Sequence, residues 1–125
     1  MSHAALEKLL PIMAAQKDQA LQRMAQILQL ERECTDMLVD LLAEDQRQAQ
    51  AFSGTTDGLT QWRIWLNGQR TRVNLRLASL RAERETQAKK LAQLAGRLEV
   101  TETMVKEMKR KAAFNAMMRA EEELE

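Results

Sequence analysis

Tyrosine is absent from this chain, and aromatic residues make up only 3% of it. A globular core built on 125 residues would use more large rings, so a compact, many-sided interior is not what this composition supports. There is a single cysteine, Cys34, which excludes an internal disulfide framework and fits a reducing, cytoplasmic setting. Proline occurs once, at Pro11, and glycine four times, so few positions can break a helix. The only histidine is His3, near the N-terminus, with no Cys or carboxylate at ligand spacing, and it reads as an ordinary surface residue. No apolar run approaches the roughly 20 residues that span a bilayer, and no basic segment followed by an apolar core marks a secretory signal. Net charge is +1, so there is no global pull toward nucleic acid or an anionic membrane.

Hydrophobic residues make up 45% and charged residues 30%, drawn largely from Ala, Leu, Gln, Glu, Arg, Lys and Met. These side chains lose little rotamer freedom in a helix, and the palette is that of a long helix or coiled coil. Apolar residues recur with a seven-residue period in two stretches. The first has a seam of Leu6, Leu10, Met13, Lys17, Ala20, Met24, Ile27, Glu31, Cys34, Leu38, Leu41, Asp45, Gln48 and Phe52. Leu21, Leu28 and Leu42 widen it on one flank. The second runs through Leu59, Trp62, Leu66, Val73, Leu77, Leu80, Arg84, Gln87, Leu91, Leu94, Leu98, Thr101, Val105, Met108 and Ala112. Between them lies Ser53-Gly54-Thr55-Thr56-Asp57-Gly58, a turn-rich cluster.

One break in a heptad pattern predicts one fold: an all-α, antiparallel two-helix coiled-coil hairpin, elongated and single-domain over 1–125. Helix 1 is expected at about 2–52, the bend at 53–58, helix 2 at about 59–120, and a frayed acidic tail at 121–125. Pro11 either marks where the first helix properly begins or kinks its first turns; the unbroken seam through Leu6 and Leu10 favours a kink. Gly68 and Gly96 weaken the second helix without ending it. Residues 1–52 carry five Lys/Arg against eight Asp/Glu, and residues 53–125 fourteen against ten, so the arms attract modestly.

The polar seam positions have two readings. Glu31 can lie across from Arg84, and Asp45 across from Arg70, in one shared register that the pairs would fix; or these side chains simply face water. Cys34, on an inward position, reads as a small apolar filler rather than a reactive thiol.

No P-loop, GxSxG, HExxH or CxxC occurs, and the carboxylates are strung along helix faces. Catalysis needs a concave, water-excluding site. The reading is of a protein that is not an enzyme, with no catalytic residue, metal or cofactor. Lys106, Lys109, Arg110 and Lys111 form a basic run without interleaved aromatics and beside an acidic tail, which fits a solvated helix face better than a nucleic-acid site. Met104, Met108, Met117, Met118 and Phe114 form a C-terminal apolar feature, and the second helix outlasts the first from about Phe114, which favours a protein partner there over idle exposure. Trp62, Ile64 and Trp65 crowd one turn beside the bend. They cannot all point inward, so the cluster is either an exposed hot spot or a small cap over the bend.

The stretch Leu59 to Leu98, with Trp62-Arg63-Ile64-Trp65-Leu66, a run of Arg and Gln, and Leu91-Ala92-Gln93-Leu94-Ala95-Gly96-Arg97-Leu98, resembles the stalk proteins of type III secretion systems, the flagellar FliJ and virulence YscO families. So does the opening Ala5-Leu6-Glu7-Lys8-Leu9-Leu10. The resemblance implies a cytoplasmic stalk, flagellar or virulence-linked, that joins an export ATPase hexamer to the cytoplasmic domain of the export gate and escorts secretion chaperones. It would reach the membrane only through its partners. It also implies an ATPase-facing element at Leu6, Leu9, Met13, Val105, Met108 and Ala112, and a gate-facing patch at Leu38, Leu42, Trp62, Trp65 and Leu66. The alternatives are a self-associating coiled-coil scaffold without such partners and a basic-helix nucleic-acid binder.

Overall fold

The protein is all-helical in a computed structural model that describes His3–Ala51 and Thr56–Leu124. The two helices, α1 (His3–Ala51) and α2 (Thr56–Leu124), pack against each other as an antiparallel hairpin, with no strand among the described residues. Ser2, Phe52, Ser53, Gly54, Thr55 and Glu125, expected at the helix ends, in the bend and in the tail, lie outside the described residues.

Helix α2 begins at Thr56 rather than Leu59, so Asp57 and Gly58 belong to its first turn instead of the bend. Asp57 suits that place, because a carboxylate near the free N–H groups of a helix start is favoured. Helix α1 runs through Pro11 without a break. Proline removes one intrahelical bond there, but the seam on either side stays continuous and holds the helix together. The acidic residues Glu121, Glu122 and Glu123 are helical, since α2 continues to Leu124 rather than fraying at 121. Threonines inside α2 tolerate the helix by back-bonding: the hydroxyls of Thr71 and Thr101 donate to the carbonyls of Asn67 and Arg97 at 2.8 Å.

The chain forms two compact units, residues 23–87 and residues 1–22 with 88–125. In the first, Ile27 and Cys34 on α1 form one core cluster with Val73, Leu77 and Leu80 on α2, and Leu30, Leu38 and Leu41 pack against it. Ile27 and Leu66 are closed off from solvent entirely. Each such side chain contributes about 1.5–3 kcal/mol relative to its exposed state. In the second unit the buried apolar residues are fewer, namely Ala20, Leu98 and Val105. There a cross-helix ion pair joins Lys109 to Glu7, and α2 extends past it with every described residue from Lys109 to Leu124 exposed.

Candidate docking surfaces

The unit of residues 23–87 carries the aromatic cluster. Trp62 and Trp65 are one turn apart on α2 and stack, with ring centroids 4.9 Å apart and planes inclined by 30°. Trp62 is half-buried, and its indole N–H donates to Asp45 Oδ1 at 3.3 Å. Arg63 Nε lies 3.7 Å from the same oxygen. Asp45 therefore anchors the inner ring from α1, and the inner ring supports the outer one. Trp65 remains 50% exposed and Ile64 68% exposed. Trp62 is thus turned toward α1, while Trp65 and Ile64 face outward. A large ring held rigid by stacking loses little freedom on binding a partner, which is what makes exposed Trp effective at interfaces.

Around this pair the anticipated patch divides. Leu42 is exposed, and Leu38 is half-buried against the core. Leu66 is interior, at 1% exposure, so it supports the surface from below and is not part of it. Met37 and Val39, which lie off the heptad seam, are exposed as well. Val39 lies off the heptad seam, where period alone assigns a residue to water.

Asp45 does not pair with Arg70. Its partners, Trp62 and Arg63, lie about two helical turns nearer the bend, and Arg70 is exposed. The cause is local: the Trp62 indole and the Arg63 guanidinium already reach Asp45 Oδ1 from α2, and Arg70 stays at the surface. Glu31 and Arg84 do meet, Arg84 Nη1 donating to Glu31 Oε2 at 3.0 Å. Arg23 pairs with Glu83, its Nε donating to Oε1 at 2.8 Å. One pairing set cannot align both pairs flush, so at least one long side chain leans along the helix axis. Glu31 is buried, and its Oε1 has no hydrogen-bond partner.

In the unit of residues 1–22 and 88–125, Leu6, Met13 and Met108 are half-buried, while Leu9 and Ala112 are exposed. Val105 is interior at 4% exposure, so it too belongs to the packing rather than the surface. Leu9 and Met13 line an open apolar groove of about 620 Å³ with Ala92, Gly96 and Val100 across from them. Gly96 deepens it: a Cβ added there would meet nothing within 4 Å. Val100 and Ile12, both more than half exposed, were not among the expected contact residues for the same reason as Val39.

Cys34 is buried and free. No cluster of His, Cys, Asp or Glu able to hold a metal ion occurs among the described residues. No described helix is long and apolar enough to cross a membrane. Compared with family models, curated proteins and solved structures, the chain finds no match.

Proposed function

We propose that this chain is a non-catalytic coiled-coil docking protein, and specifically a stalk of a type III secretion or flagellar export apparatus. In this reading the surface around Trp65 and Leu42 binds the cytoplasmic domain of an export gate. The surface made by Leu6, Leu9, Met13, Met108 and Ala112 engages a hexameric export ATPase, and secretion chaperones are escorted by the same protein. The observation that carries the docking role is the stacked Trp pair, because a half-exposed indole braced from beneath by a second, hydrogen-bonded indole is a costly thing to leave in water. The export assignment rests on the resemblance of the Leu59–Leu98 stretch to that family.

Binding of the purified chain to an export-gate cytoplasmic domain and to an export ATPase, each by calorimetry, tests the proposal. Trp65→Ala is expected to weaken the gate contact by about 2 kcal/mol or more and leave helicity intact. Met108→Asp is expected to weaken the ATPase contact more than the gate contact. Absence of binding to either protein rejects the export assignment; equal loss of both contacts in Met108→Asp points to unfolding instead of a local surface.

A further inference from the structure

Beyond the ion pair of Lys109 with Glu7, the C-terminal part of α2 is exposed along its whole described length. From Lys109 to Leu124 every residue is exposed, so this end of α2 draws little stability from tertiary packing. Phe114 is 56% exposed, Met117 53% and Met118 41%. Glu121, Glu122 and Glu123 sit in the last turns with no basic residue in the final one, and negative charge there opposes the helix dipole. Apolar side chains in the middle and misplaced charge at the end both call for something alongside.

We propose that this segment pairs with the same segment of a second copy of the chain, antiparallel, about a twofold axis near Ala116. Lys111, Phe114, Met118 and Glu121 are spaced three, four and three residues apart, which places them on one heptad seam. That seam is complementary to itself when reversed. Centred on Ala116, Phe114 of one copy meets Met118 of the other, and Lys111 of one meets Glu121 of the other. The twofold axis makes each contact occur twice. Met117 lies on the flank closest to the axis, against its own symmetry mate. A parallel pair would set Lys111 on Lys111 and Glu121 on Glu121, so the charges select the antiparallel arrangement as well as permitting it. They also disfavour an anionic membrane or nucleic acid, because the cations at 109–111 are followed within the same helix by three consecutive carboxylates. Cations of the second copy beside Glu121–Glu123 relieve the dipole conflict that each chain has alone.

The apolar area is small, so the dimer is weak, micromolar to millimolar, and salt-sensitive. Sedimentation of the full chain under reducing conditions tests it, as a function of concentration. The wild-type chain is expected to dimerise and to dissociate as salt is raised. Lys111→Glu and Glu121→Lys each turn two attractive contacts into repulsive ones and are expected to weaken dimerisation about tenfold. An equimolar mixture of the two variants restores both attractions and is expected to dimerise as the wild type does. Phe114→Ala is expected to weaken the dimer without changing the circular dichroism of the dilute chain. A wild-type chain that stays monomeric into the millimolar range overturns the proposal. So does a dimer indifferent to both charge variants, or one lost instead on Leu28→Ser and Leu42→Ser, which would place self-association on the α1 flank. The inference does not depend on the export reading: Trp65→Ala is expected to leave the dimer unchanged, and failure to bind an export ATPase would leave it standing.

Discussion

Glu31 tests whether a single residue can oppose stability and still specify structure. Its side chain is only 10% exposed, one oxygen is held by Arg84, and the other has no partner. A carboxylate in that position loses more hydration than one ion pair returns. Replacing it with a well-packed apolar residue should therefore be neutral or stabilising. Glu31→Leu is expected to unfold at the same or higher urea concentration, with up to about 1 kcal/mol of added stability. Arg84→Ala removes only the counter-charge and is expected to cost about 1–2 kcal/mol, below the fully buried case because Arg84 itself is 45% exposed. If Glu31→Leu proves the more damaging of the two, the pair stabilises the fold outright, and the idea that it serves register is wrong. That Glu31 and Arg84 come together was legible from their seam positions. Arg23 with Glu83 was not, because neither was placed on the seam and only long side chains bridge them.

At the scale of the element, α2 stays helical through its interior glycines. Gly68 and Gly96 sit inside α2, and a Cβ at either position would meet nothing within 4 Å. No packing reason then opposes alanine, while glycine costs about 0.5–1 kcal/mol in a helix interior. Gly68→Ala is expected to raise stability by about that amount, measured by thermal melting. Gly96→Ala should add a similar gain but also fill part of the groove beside Leu9 and Met13. A partner that uses this groove would bind Gly96→Ala more weakly in spite of its higher melting temperature, and Gly68→Ala equally well. The helices themselves were legible because heptad spacing and composition are local properties. Their ends were less so: the Thr56-Asp57-Gly58 run reads as turn by composition, yet Asp57 serves equally well as a first-turn carboxylate.

For the molecule as a whole, the two units differ in how much apolar surface they enclose. The unit of residues 23–87 holds the core cluster, and the other holds fewer buried side chains and the exposed end of α2. Amide hydrogen exchange is expected to follow: slowest around Ile27, Cys34 and Leu77, faster through 1–22 and 88–108, and fastest among helical residues in 109–124. Protection of 109–124 should increase with protein concentration as the second copy pairs with it, and uniform protection along α2 at low concentration would contradict the difference between the units. The sequence alone determined that there are two helices, that they fold back on each other, and which stripe of each is apolar, because a seven-residue period is written along one chain and needs no partner to be read. Only the tertiary structure decided that Trp65 faces out while Trp62 is half-buried, and that Asp45 bonds to Trp62 instead of pairing with Arg70. Those outcomes depend on which side chains of the facing helix reach each position, and that is settled between residues distant in sequence.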